Sequence, residues 1–538
     1  MRLERTGPRM CGRLGPGDPQ RLPRMANGLP TTYTTSGVTL AADGGVVWSD
    51  GTGASWSPRP LPTALQGPHT AIARRYDAAS VTSVGDEHIL QAGISGAVPL
   101  YVDTGDDGVH FSSSLDPLVR TRRTVRPDWD GWAHMLAAGA PLDGRTVIEG
   151  IRRLRPWEDI AVGQGYSRST GTQWPWLDAT PTHRPSVRAV QDALDASVRE
   201  ITDYTPLAPM LSGGWDSRIL TTLATRHQPD GAVTARTTSS DTGTVMEELI
   251  ASQVSERLGI RHRILMPSRE LFGADVQRFA EAVDYQTSFH IWFVPVQRDL
   301  DRSDGTVLDG LGGGVFLGGA FPDPPGSAPI VDRRFNRLTH YLSAAPEILH
   351  KRAIESIRER TRTAFELVAK PLLDHPFAST FTAYLNRTVP GISLAPYGLL
   401  AASTTVATPF LDDRLVSAAL QFTPAQHAEG RLYPRVLARF EPALADQPTA
   451  EQLAPWPRPH PRRISSPEAA AHIRRLVLSE PVRYLISDEL ARAELPTWSR
   501  LLSTTGGQHL LRGLAVMSLW FDEYADHLDG SGVEQLHR

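Results

Sequence analysis

One octet in the 538-residue chain gathers residue types that could do chemistry: Leu211-Ser212-Gly213-Gly214-Trp215-Asp216-Ser217-Arg218. Ser212, Gly213 and Gly214 offer consecutive backbone N–H groups, and Ser217 adds a hydroxyl. Such donors at the start of a helix form a nest for a polyphosphate. The two adjacent glycines let the main chain approach a ligand and take positive φ without a Cβ clash. Asp216 brings the hard oxygen that a phosphate-bound Mg²⁺ needs. Together these residues predict a cradle for ATP with Asp216 as its metal ligand. Arg218 follows directly, placed to contact phosphate or to pair with an acid.

The flanking residues predict the elements that hold the octet. The apolar run 207–211 reads as a buried strand, and Ile219, Leu220, Leu223 and Ala224 fall on one side of a helix. Downstream the pattern predicts a strand over 232–237, a helix over 245–258 ended by Gly259, and a strand over 262–266. This alternation predicts an α/β fold, a doubly wound parallel sheet with its ligand at the carboxyl ends of the strands. A helix over 187–201 leads in, after a polar linker at 180–186. Beyond about residue 330 the pattern is largely helical. From 37 to 176 it is mostly β, with short runs at 45–48, 88–92 and 98–102 and helices at 130–138 and near 116–118. The expected organisation is a disordered tail over 1–30, a β-rich domain over 31–180 and a nucleotide-binding domain over 187–530.

Composition narrows the classes. Hydrophobic residues make up 40% and charged residues 21%, as in a globular protein with a sizeable core. A net charge of −4 speaks against general nucleic-acid binding. No apolar run is long enough for a membrane span, and the first residues lack the apolar stretch of a secretory signal. The one cysteine, Cys11, rules out a disulfide framework and a cysteine-cluster metal site, and reads as an exposed tail thiol. The expected compartment is the cytoplasm. The only lysines are Lys351 and Lys370, and neither follows glycine, so the octet is not a Walker A loop. Phosphate contacts by side-chain cations fall almost wholly to arginine, a fixed and forked charge.

The pattern S-G-G-x-D-S resembles the pyrophosphate loop of N-type ATP pyrophosphatases, which cleave ATP to AMP and pyrophosphate. Two further blocks follow in order, Thr306 through Asp309-Gly310-Leu311-Gly312-Gly313-Gly314 to Gly319, and Thr408-Pro409-Phe410-Leu411-Asp412-Asp413-Arg414-Leu415-Val416. All three are similar to the motifs of asparagine synthetases. Segments 94–101, 111–115 and 146–156 look like the later half of that family's class II glutamine amidotransferase domain. The earlier substrate-binding segments of that domain are missing, which makes it a degenerate copy. Met10-Cys11-Gly12 mimics the start of an active one, whose N-terminal cysteine hydrolyses glutamine.

The resemblance implies adenylation of a carboxylate, release of pyrophosphate and attack by an amine, with ATP and Mg²⁺ as cofactors. It implies that Leu211, Ser212, Gly213, Gly214, Asp216, Ser217, Asp309 and Gly310 bind the nucleotide. It further implies that Asp216, Arg218, Glu247 and Glu248 carry the chemistry. Three departures stand out. Gly314 replaces the family's second metal-binding aspartate, leaving Asp309 or Asp323 as substitutes. Leu311 stands where β-lactam synthetases place a catalytic tyrosine. The late lysine is absent, with Arg431, Arg435 or Arg439 as candidates for its role. These features point to a specialised amide-forming ligase such as a lasso-peptide macrolactam synthetase, acting on a small-molecule or peptide carboxylate beside a precursor-processing protease. Nucleic acid and membrane are not expected partners. The alternatives are a glutamine-hydrolysing asparagine synthetase and a non-catalytic nucleotide-binding scaffold.

Overall fold

The computed structural model describes residues 5–15, 31–35, 37–60, 62, 67–105, 108–163, 166–170, 173–203, 205–239, 245–300, 305–319, 321–453, 463–530 and 532–536. Among these described residues twelve strands build the N-terminal part: β1 Arg9–Leu14, β2 Thr31–Thr35, β3 Val38–Asp43, β4 Val46–Asp50, β5 Gly53–Ser57, β6 Ala79–Val84, β7 Glu87–Gln91, β8 Tyr101–Gly105, β9 Gly108–Ser112, β10 Ile151–Arg153, β11 Asp159–Gly163 and β12 Tyr166–Ser169. They form two six-stranded sheets, ordered β10-β8-β9-β1-β3-β2 and β12-β11-β7-β6-β5-β4. Every pairing is antiparallel. Met10, Leu14, Leu40 and Phe111 from one sheet meet Trp56, Val81, Leu90 and Ile160 from the other, so the sheets pack face to face as a sandwich.

The expected tail over 1–30 needs correction. β1 lies inside the first sheet, paired with β3 on one side and β9 on the other. Met10 and Leu14 face the sandwich core, and Gly12 between them leaves room for the Phe111 ring, which lies 2.2 Å from where a Cβ would be. The residues ahead of β1 are docked as well. Thr6 and Gly7 donate to the Ala402 carbonyl at 2.8 and 3.2 Å, and Arg5 pairs with Asp284 at 2.6 Å. Cys11 is therefore not an exposed thiol; it is 1% exposed, and burial pushes its pKa up to about 12. Arginine and glycine punctuation around a six-residue strand masked the pattern. The remainder of the expected tail, 16–30, lies outside the described residues.

Past the helix Val187–Thr202, capped by the Ser186 side chain on the Ala189 N–H, come five more strands. β13 Leu207–Pro209, β16 Thr306–Leu308 and β17 Thr405–Ala407 form one parallel sheet. β14 Thr234–Thr238 and β15 Arg261–Leu265 form a parallel pair, and a bridge between Met210 and Arg236 joins the two sets. Leu207 and Leu211 face Leu194, Ile219, Leu223 and Val254 on one side. Ala208 and Met210 face Val296, Leu400 and Val406 on the other. Helices thus cover both faces, as the alternating pattern predicts. Helix Met246–Leu258 ends on Gly259 in the left-handed conformation, φ 64°.

The C-terminal part is helical, with Lys351–Ala369, Pro467–Val477 and Thr505–Glu523 among its longer members. Its core also takes in the helix Trp129–Ala138: Trp132 packs with Trp498, Leu511 and Trp520. A segment expected within the β-rich domain therefore shares the core of the C-terminal one. Among the described residues no helix is long and apolar enough to cross a membrane.

Candidate active site

The loop after β13 is pinned on both sides by neighbouring strands. Met210 N–H donates to Leu308 O at 3.0 Å and Leu211 N–H to Arg236 O at 2.8 Å. Helix Trp215–His227 starts directly after Gly214, so the loop's N–H groups lie at its positive end. Ser212 N–H donates to Ser217 Oγ at 2.9 Å, Gly214 N–H to Ser212 Oγ at 3.2 Å, and Gly213 N–H to Glu247 Oε2 at 2.7 Å. Gly213 is needed for a steric reason: its Cβ would lie 2.3 Å from the Ala450 Cβ, on a segment whose N–H reaches Gly213 O at 3.0 Å.

The second glycine run closes over Asp216. A Cβ on Gly310 would sit 2.8 Å from the Asp216 Cβ, and one on Gly313 only 2.0 Å from its Oδ1. Gly312, at φ +93°, rests against Leu411 of the third block. Phe410 and Leu411 are core residues. Asp412 caps the next helix through the Arg414 N–H. The three blocks are thus one packed unit, in which the third supports the second and the second makes room for Asp216.

Asp216 Oδ1 accepts a hydrogen bond from the Tyr433 hydroxyl. Burial pushes the Asp216 pKa up to about 7 and the nearby Asp309 charge adds to the rise, while Tyr433 and the Gly314 N–H oppose it. Burial raises Asp309 to about 6, against the Leu311 N–H that it accepts at 2.8 Å. Two like-charged carboxylates on one cavity are an oxygen donor set short of positive charge. Mg²⁺ is held by one or two carboxylates together with substrate phosphates, so the residues present fit it. Among the described residues no group of three or more acidic, histidine or cysteine side chains completes a metal cage.

The cavity measures about 370 Å³, and Leu211, Ser212, Asp216, Ser217, Glu247, Asp309, Gly310 and Gly314 all line it. Other sequence-derived candidates fall elsewhere. Arg218 is 0% exposed and turns behind the loop, donating to the carbonyls of Leu444, Gln447 and Pro448 at 3.0, 2.6 and 3.0 Å. It also lies 4.8 Å over the Trp215 ring, which stacks on Tyr433. The expectation that it touches phosphate or an acid is corrected: its partners are peptide carbonyls. Glu248 is buried but does not line the cavity, because one step along a helix turns the side chain by about 100°. Asp323 pairs with Arg334 at 2.6 Å. Arg431 pairs with Glu429 and Arg439 with Asp192, while Arg435 is exposed; none of the three reaches the cavity.

Sequence reasoning missed the opposite wall. His290, Trp292, Phe293, Phe321 and Arg387 line it. Arg387 lies 5.8 Å from the Phe289 ring centre and 5.6 Å from that of Phe321. Burial, with the charges of Arg387 and Arg512, pushes His290 down to about 3. Arg387 sits on a π-helical stretch, Tyr384–Ile392, with Pro390 inside it. The Pro390-Gly391 pair in a helical pattern was the available signal, since π-distortions often mark functional sites. Tyr433 left no signal, being one aromatic residue on an amphipathic helix.

Residues 189–440 match the family model for asparagine synthase. This part of the chain, which holds all three blocks and both glycine loops, is similar to asparagine synthase, a family of ATP-dependent ligases. No curated protein matches the chain.

Proposed function

We propose that this chain activates a carboxylate as its acyl-adenylate, expels pyrophosphate and passes the acyl group to an amine. The observation that carries the reading is the meeting of the first loop, Asp216 and Asp309 on one cavity at the carboxyl ends of parallel strands. In this reading the positive end of the helix Trp215–His227, with Ser212 and Ser217 on the cavity, holds the leaving pyrophosphate. Mg²⁺, when held by Asp216 and Asp309, supplies the charge that a departing pyrophosphate needs. Glu247, bonded to the Gly213 N–H, fixes the loop's shape and carries the acid expected at this position. The apolar and cationic wall of Trp292, Phe293, Phe321 and Arg387 orients the acyl substrate and keeps water from the activated carbonyl.

The amine in this reading is not ammonia from glutamine. A cysteine nucleophile of that type needs a free N-terminus, whereas Cys11 lies within β1 behind docked residues. A lasso-type cyclisation suits these features: a peptide's own N-terminal amine attacks its activated acidic side chain, after a protease has exposed that amine. Incubation with ATP, Mg²⁺ and candidate peptide or small-molecule acids is expected to yield AMP and pyrophosphate in step with the acid supplied. Formation of ADP would overturn the mechanism.

One observation favours a second reading, a nucleotide-binding scaffold: position 314 lacks a carboxylate, and Tyr433 engages Asp216. Acid-dependent turnover by the unaltered chain removes it. Turnover only after Gly314→Asp establishes it.

A further inference from the structure

A second cavity, of about 210 Å³, lies where the N-terminal sandwich meets the C-terminal helices. None of the residues lining it lines the first. Leu154 on one side and Leu372, Val389 and Pro390 on the other make its walls largely apolar. The polar side chains in this lining are Asp143, Arg145, Arg155 and Gln286 and, facing each other across the strand pair, Arg153 on β10 and Tyr101 on β8. Arg153 and Tyr101 are 5% and 2% exposed.

Arg153 differs from the other two arginines in this lining. Arg145 pairs with Asp128 and Asp130, and Arg155 with Asp143 at 3.3 Å, the one acid lining this cavity. Arg153 pairs with no carboxylate among the described residues. Its Nη2 donates to Gly96 O, Ala97 O and Ser393 Oγ at 2.9, 3.1 and 3.0 Å. Among the described residues its Nε and Nη1 have no acceptor, and the Tyr101 hydroxyl has no partner. Burial without a counter-ion depresses the guanidinium's pKa. Leaving a cation and three donors in this state is costly, and native structures pair nearly all such groups.

We propose that this cavity binds a small free carboxylic acid with an apolar body. Its carboxylate takes the unpartnered donors of Arg153 and Tyr101, and its hydrocarbon part lies against Leu154, Leu372 and Val389. A guanidinium fork matches a carboxylate in shape as well as charge. The volume sits below the range of about 300–1,000 Å³ usual for drug-sized ligands, which limits the guest to a short acid. The site does not depend on the ligase reading.

The test is calorimetric titration of the full chain, without nucleotide, by hexanoate, 4-methylvalerate and phenylacetate and by their primary amides. At least one acid is expected to bind, its amide at least about tenfold more weakly, since a hydrogen bond to a charged group is worth roughly 1.5–3 kcal/mol. Tyr101→Phe keeps the packing and is expected to weaken the acid severalfold. Arg153→Met is expected to erase the preference for acid over amide. Val389→Trp, which fills the cavity and leaves the bonds of Arg153 in place, is expected to abolish binding. The proposal is overturned if no acid binds, if acids and amides bind alike, or if binding survives Val389→Trp.

Discussion

Asp216 is held between the two glycine loops, with Tyr433 on its Oδ1 and the charge of Asp309 close by. Asparagine keeps the shape and an oxygen to accept from Tyr433 but loses the charge. Asp216→Asn is expected to lower acid-dependent pyrophosphate release by about a hundredfold or more, the scale on which a lost electrostatic contact to developing charge registers. Its thermal midpoint, followed by circular dichroism, should not fall. Arg218 is the contrasting case, with three carbonyls and an indole ring as its partners. Arg218→Met leaves those carbonyls buried and unmet, at about 1–3 kcal/mol for each one not rehydrated. Urea unfolding should therefore show a lower midpoint, while turnover per folded molecule stays within a few-fold. A large loss of turnover at unchanged stability would return Arg218 to the chemistry.

At the scale of elements, the helix Trp129–Ala138 ties the sandwich to the C-terminal core and carries the fully buried His134. Its Nδ1 accepts the Leu142 N–H at 3.2 Å, which needs the neutral ring. Burial pushes its pKa down to about 4. Between pH 6.5 and 4 the unfolded chain therefore binds more protons than the folded one, and stability must fall as pH falls. His134→Gln is expected to flatten the dependence of unfolding free energy on pH across that window; an unchanged slope would contradict the assignment. The sequence made the nucleotide loops legible because close approach of backbone to a side chain leaves glycine in the chain, as at Gly213, Gly310 and Gly313. The parallel sheet was legible because buried strands alternate with amphipathic helices. Arg387 was not, since its helix departs from the regular period at Pro390. β1 was not, since a glycine under the Phe111 ring and arginines around it broke the apolar alternation. Which way Arg218 turns depends on residues 444–448, far along the chain.

At the scale of the molecule, the sandwich and the part that matches asparagine synthase meet through packed residues rather than along a clean boundary. Trp174 and Trp176 pack on Phe316, Phe381 and Tyr384. Arg153 of the sandwich reaches Ser393, next to the π-helical stretch. That stretch presents Arg387 and Thr388 to the first cavity and Val389 and Pro390 to the second, so one element forms a wall of both. Removal of the N-terminal part would uncover that wall and the core shared with Trp132. In the proposed reaction the first cavity releases pyrophosphate while a carboxylate is activated. The direct measurement is exchange of labelled pyrophosphate into ATP in the presence of Mg²⁺ and the acyl substrate. The expected result is exchange that requires the acid and disappears in Asp216→Asn. Exchange that proceeds equally without the acid, or that survives the loss of Asp216, would contradict it.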